Sequence, residues 1–183
     1  LPWFLTADHC IGSQTVAQTA ITYFGYKTSS CNSSSLGTYD SVSGSTYKTG
    51  SSTSDFTLLL LSGEPSISFA RLGYSTADLD WGDDIAVVHH PGGYRPGSFD
   101  SYMRVSYGDR DLVSWPNYWV MEYSSGSTEG GSSGAPLISV SDKRVRGQLS
   151  GGLAGCGNIF DDEYGKFSSA WDDGASTYLS VQD

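Results

Sequence analysis

Apolar residues in this chain recur at the spacing of strands and hardly anywhere at the spacing of a helix. Short β-favouring runs occupy residues 3–6, 16–26, 56–61, 85–89, 101–107, 118–123, 135–140, 145–149 and 165–171. Between them stand Pro91-Gly92-Gly93, Pro96-Gly97 and Gly151-Gly152, combinations that reverse a chain. Short runs so separated predict an all-β barrel or sandwich. The Ser-rich stretch 29–54 holds only weak strand candidates and reads as surface loop. Residues 175–181 are the one stretch that reads as a helix, a short one.

Composition removes several functions. The longest apolar run, residues 56–61, is strand-sized and includes Thr57, far short of the roughly 20 residues of a membrane span. Lys plus Arg is 10 against 20 Asp plus Glu, a formal net charge of −10, which lacks the basic footprint of a nucleic-acid binder. Hydrophobic content of 38%, with 5 Trp, 12 Tyr and 7 Phe, is too rich for disorder. Charged residues make up only 16% of the 183, so uncharged Ser, Thr and Gly must keep the surface wet. That Ser-rich, Lys-poor balance points to a secreted protein. Its 3 cysteines are an odd number, implying a free thiol or a partner elsewhere.

The chemistry concentrates in three segments: Leu5-Thr6-Ala7-Asp8-His9-Cys10, Ser54-Asp55-Phe56-Thr57-Leu58-Leu59 and Gly130-Gly131-Ser132-Ser133-Gly134-Ala135-Pro136. These are the parts of nucleophilic acyl transfer. A serine hydroxyl is inert until a base takes its proton, and imidazole titrates in the right range. A carboxylate must hold the imidazole tautomer and stabilise the imidazolium. Glycines beside the serine let backbone N–H groups converge on the developing oxyanion. Composition alone leaves Ser132 and Ser133 as competing nucleophiles. His89 and His90 invite a metal reading, but adjacent strand residues point to opposite faces and do not share one ion. No metal and no other cofactor is expected.

Taken in order, these segments resemble the trypsin/chymotrypsin-like serine peptidases, which carry Thr-Ala-Ala-His-Cys, Asp-(Ile/Phe)-(Ala/Thr)-Leu-Leu and Gly-Asp-Ser-Gly-Gly-Pro. The chain order His, Asp, Ser differs from the triad orders of subtilisins and α/β-hydrolases. The resemblance implies two antiparallel β-barrels with the site between them. Residues 1–75 would form the N-terminal barrel, lacking its first strands in this chain; residues 76–183 would form the C-terminal barrel and a short terminal helix. It makes His9 the general base, Asp55 its orienting carboxylate and Ser133 the nucleophile. The amides of Gly131 and Ser133 become the oxyanion hole, and Ser150-Gly151-Gly152 pairs with the substrate backbone. One departure matters. Where the animal enzymes place an Asp that receives a newly cut N-terminal ammonium, this chain has uncharged Ser132, so another route must order the oxyanion hole.

Further stretches are similar to the bacterial lysyl endopeptidase branch: His89-His90-Pro91, residues 128–136, residues 143–149 and Asp162-Glu163-Tyr164-Gly165-Lys166. The trypsin pocket Asp is Ser127 here. The lysyl endopeptidase pocket carboxylate instead matches Asp162, and Glu129 matches a second acidic pocket residue. Such a pocket prefers Lys or Arg. The residues alone also read as a solvated acidic turn, Asp161 to Glu163. A His–Trp stack of that branch is replaced by Ser150 and Tyr107, which opens the preference to Arg as well as Lys. The resemblance further pairs Cys10 with Cys31. It leaves Cys156 to bond an N-terminal segment that this sequence does not contain. The partners expected are thus a peptide or protein substrate and that segment, with no nucleic acid and no membrane.

Overall fold

The Leu-rich run of residues 56–61 can be satisfied only between two other strands, and the fold is organised accordingly. The computed structural model describes residues 1–31, 33, 35–92, 103–155, 157–158 and 161–179. Along the chain come β1 (Trp3–Ala7), α1 (Gln14–Ala17), β2 (Ile21–Phe24), β3 (Asp40–Ser43), β4 (Ser45–Ser51) and β5 (Phe56–Leu61). Then follow β6 (Gly73–Tyr74), β7 (Asp84–His89), β8 (Arg104–Trp115), β9 (Tyr118–Ser125), β10 (Pro136–Ser139), β11 (Arg144–Gly152), β12 (Asp162–Lys166) and α2 (Phe167–Asp172), ending in a 3-10 turn at Ala175–Thr177.

Two sheets carry the architecture. In the first, β5 lies between β1 and β4, both antiparallel to it; β2 and β3 make a separate hairpin. In the second, β10-β7-β8-β9-β12-β11 closes into a barrel through the β10–β11 pairing, with β6 added in parallel outside β11. The barrel interior is a packed core of Ile85, Val87, Trp119, Met121, Tyr123, Leu137, Leu149 and Tyr164. The first sheet is covered differently: Phe56 and Leu58 pack against Ala170 and Ala175, so the C-terminal segment roofs the N-terminal sheet. Burying Phe56 and Leu58 contributes on the order of 1.5–3 kcal/mol each.

Several boundaries differ from the sequence expectation. The Ser-rich stretch is not all loop: it supplies β3 and β4, and β4 lies beside Leu-rich β5 with Ser45 buried. Its Ser-Thr-Tyr-Lys-Thr pattern lacked hydrophobic signal because the partner strand supplies the apolar face. The run 16–26 divides into α1 and β2, because Ser13 caps a helical turn through its side chain to the Val16 amide. The run 165–171 likewise divides, with β12 ending at Lys166 and α2 following. Of the expected terminal helix, only the 3-10 turn at Ala175–Thr177 forms among the described residues; the α-helix precedes it.

Candidate active site

The β1–β5 register brings the base and its carboxylate together. Ala7 stands opposite Phe56, so the residues just past the end of β1 meet the residue just before β5. His9 and Asp55, 46 positions apart, therefore become neighbours: His9 Nδ1 lies 2.7 Å from Asp55 Oδ2, and the His9 amide donates to Asp55 Oδ1 at 2.9 Å. Asp55 is held at φ +51, a left-handed conformation uncommon for a residue with a side chain. The Asp8 amide bonding to the Asp55 carbonyl at 3.0 Å helps hold it there. An ionised carboxylate only accepts. Nδ1 therefore carries a proton, and in the neutral form of the half-exposed ring Nε2 is the acceptor.

Strand β11 connects this pair to the serine turn through three consecutive residues. Gln148 Nε2 donates to the Ser54 carbonyl at 2.8 Å, the Leu149 carbonyl accepts the Gly134 amide at 2.8 Å, and Ser150 Oγ donates to Asp55 Oδ2 at 2.6 Å. Gly134 takes φ +81, and a Cβ there would stand 2.5 Å from Thr6 Oγ1. Only glycine lets the turn rest on β1. Within the turn, the Ser132 amide donates to the Glu129 carbonyl and the Ala135 amide to the Ser132 carbonyl, both at 3.0 Å. The amides of Gly131 and Ser133 donate to no acceptor among the described residues. No hydrogen bond joins His9 to Ser133 among them. Desolvation of the Cys10 thiol, then the Asp55 charge, push it up, opposed by the nearby Ser133 hydroxyl, which pulls it down.

A second carboxylate lies inside the barrel. Asp162 is 2% exposed. Its Oδ2 accepts from Thr128 Oγ1 and, at 2.9 Å, from Tyr123 Oη, while Oδ1 accepts the Ala154 amide at 3.2 Å. Tyr123 and Tyr164 hydroxyls lie 2.5 Å apart beside it. Burial pushes Asp162 above the usual carboxylate range, only partly opposed by the Thr128 and Tyr123 hydrogen bonds. Both tyrosines are also pushed up, first by burial and then by neighbouring charge. Gly152 pairs across from Asp162, and a Cβ at Gly152 would collide with Asp162 Oδ1.

The model of the lysyl endopeptidase C-terminal domain family matches residues 1–168. The chain belongs to that family. Solved structures agree at the level of fold. Human heparin binding protein superposes with a TM-score of 0.65 at 19% identity, over 100% of this chain and 85% of that one. The scabies mite inactivated protease paralogue S-I1 gives 0.66 at 18%, over 98% and 86%. Rv3671c from M. tuberculosis, in an inactive mutant form, gives 0.59 at 12%, over 100% and 80%. The fold of this lysyl endopeptidase family member is that of trypsin-like serine proteases.

Of the residues expected from the sequence, the structure brings His9, Asp55 and Ser150 into direct contact and sets the Ser133 turn against the same edge of β1. Asp162 is buried rather than part of a solvated turn. Gly151 and Glu129 are exposed, and the Glu129 amide donates to Ser132 Oγ at 3.3 Å. The expected Cys10–Cys31 bridge is not formed: both are free thiols. Cys10 sits in the turn after β1, its amide bonded to the Ala7 carbonyl. Cys31 sits in a separate loop that closes on itself through the Thr28–Leu36 bridge and the Gly37 amide to the Lys27 carbonyl. Cys156 lies outside the described residues. His89 and His90 engage different partners, Ser132 and Ser106 for the one and the Tyr26 carbonyl for the other. Sequence reasoning missed Gln148, Thr128 and Tyr123. Each acts through hydrogen bonds across the fold, and no local pattern marks such bonds.

Proposed function

We propose that this chain is a secreted serine endopeptidase that cleaves peptide bonds after Lys and Arg. In this reading His9 Nε2 removes the Ser133 proton as Oγ attacks the carbonyl carbon. The Gly131 and Ser133 amides stabilise the oxyanion, and Asp55 the imidazolium. His9 then protonates the departing amine, leaving an acyl-enzyme on Ser133. Water repeats the sequence to release the acid. The reading rests above all on the His9–Asp55 pair, which leaves Nε2 unprotonated beside a serine turn with two undonated amides. Asp162 supports the preference for cations: a buried carboxylate gains most from a ligand that brings a positive charge. Gly151 and Gly152 pair with the substrate chain, and Glu129 stands at the rim as a second acidic group.

The His9–Ser133 hydrogen bond is missing, a gap that substrate binding closes in working enzymes. That gap also favours a second reading, a non-catalytic homologue that binds partners through the cleft. Incubation with an organophosphonate serine probe, followed by matched Lys, Arg, Glu and Phe amide substrates, separates the two. Labelling on Ser133 with turnover confined to Lys and Arg is expected. A folded sample that neither labels nor turns over defeats the enzymatic reading.

A further inference from the structure

Ser132 precedes the expected nucleophile and cannot anchor the turn by charge. The structure shows what it does instead. Strand parity places His89 on the inward face of β7 with Ile85 and Val87, and His89 is 2% exposed. Its Nδ1 lies 2.8 Å from Ser132 Oγ and its Nε2 3.0 Å from Ser106 Oγ. Ser106 donates its hydroxyl proton to the Ser127 carbonyl at 2.9 Å. That direction fixes the rest. Ser106 Oγ can only accept from the imidazole, so Nε2 carries the ring proton and Nδ1 accepts from Ser132. Ser132, Ser106 and His89 are all at most 2% exposed, so the chain of bonds is satisfied in its neutral form and shielded from water.

Ser132 also stands between the two undonated amides, those of Gly131 and Ser133. Its own amide, carbonyl and hydroxyl are all bonded within the turn or to His89. The loop after β7 adds a second fastening: the Gly92 amide donates to the Gly130 carbonyl at 2.7 Å. We infer that His89 is a positioning residue for the oxyanion hole: its Nδ1 holds Ser132 so that the flanking amides stay aimed at the reacting carbonyl. A neutral hydrogen-bonded anchor does here what a buried ion pair would do. This inference rests on the proposed peptidase reading of the same site.

Two isosteric variants separate the bonds, since the Asn side chain reproduces the acceptor near Nδ1 and the Gln side chain the donor near Nε2. On a lysyl amide substrate, His89→Gln and Ser132→Ala are expected to lower kcat about 10- to 100-fold with KM nearly unchanged, as loss of oxyanion stabilisation does. His89→Asn is expected to stay close to wild type. Wild-type kcat in His89→Gln overturns the inference, as does an equal loss in His89→Asn and His89→Gln that follows their melting temperatures. The wild-type protein gives a reading that needs no variant: 15N NMR of the His89 ring should show neutral imidazole protonated at Nε2, and protonation at Nδ1 overturns it. A wild type that neither labels at Ser133 nor turns over defeats the peptidase reading, while the ring spectrum still tests the anchor.

Discussion

The β7–β12 barrel closes on itself through the β10–β11 pairing, whereas the β4-β5-β1 sheet has no further strand beyond β1 or β4 among the described residues. The barrel fills its own interior with Ile85, Val87, Met121 and Leu137, all fully buried. The sheet's Phe56 and Leu58 take their cover, Ala170 and Ala175, from the segment that follows the barrel's last strand. The barrel side carries Ser133, Asp162 and the His89 anchor. The sheet side carries His9 and Asp55. The proposed nucleophile and pocket thus stand on a scaffold that fills its own interior, and the proposed base stands on one whose Phe56 and Leu58 are covered by a later segment of the chain. Events that loosen the molecule should therefore misplace the base before they disturb the pocket.

The largest expected effect removes the barrel's reacting group. Ser133→Ala should reduce amide turnover by about 10⁴-fold or more, with the fold intact by circular dichroism; comparable turnover in Ser133→Ala and wild type would return the assignment to Ser132. Next, Asp162→Asn should cut turnover of Lys substrates by about 100- to 1000-fold, as expected when one partner of a buried charge pair is lost. Probe labelling of Ser133 should survive, because the turn and the base are untouched. Equal Lys turnover in both proteins refutes the pocket.

A smaller effect tests the docking itself. Gln148→Ala removes the bond to the Ser54 carbonyl at a cost of about 1 kcal/mol or somewhat more. Turnover should fall about 10-fold, and amide exchange should quicken in β1 and β5 while β7 to β12 stay protected. Uniform exchange across both sheets would erase the distinction drawn above. The smallest effect is on stability. The folded pKa of Asp162 lies above its unfolded value, so the folded state binds that proton more tightly. Stability is then greatest below the ordinary carboxylate range and declines as pH rises through the raised pKa. Asp162→Asn should therefore melt slightly higher than wild type at neutral pH and lose that advantage in acid. Parallel melting curves at every pH would contradict it.

The strands with an apolar face, such as β5, β7 and β9, were legible because alternation or continuous hydrophobicity reports burial directly. So were His9, Asp55 and the Gly131–Gly134 turn, whose order and neighbours carry the family pattern. Strand β4 was not, because polar residues become a strand when a Leu-rich neighbour offers hydrogen-bonding edges. The roles of Gln148 and His89 were equally hidden. Parity foretold that His89 and His90 point apart, but nothing near His89 in sequence names Ser132, 43 positions away, as its partner. The disulfide expectation failed for a related reason: the family resemblance pairs Cys10 with Cys31, and the separate turns that hold them do not form a bridge.

The roofing of Phe56 and Leu58 by Ala170 and Ala175 also sets an order of events during synthesis. Strands β1 and β5 leave the ribosome before the β7–β12 barrel, but Ala170 and Ala175, which cover Phe56 and Leu58, follow it. Until then Phe56 and Leu58 lack Ala170 and Ala175, and before β11 emerges Gln148 and Ser150 are missing as well. A nascent or prematurely terminated chain would thus hold His9 and Asp55 only loosely. Proteolytic competence, on this reading, is withheld from the growing polypeptide until Ala170 and Ala175 are in place.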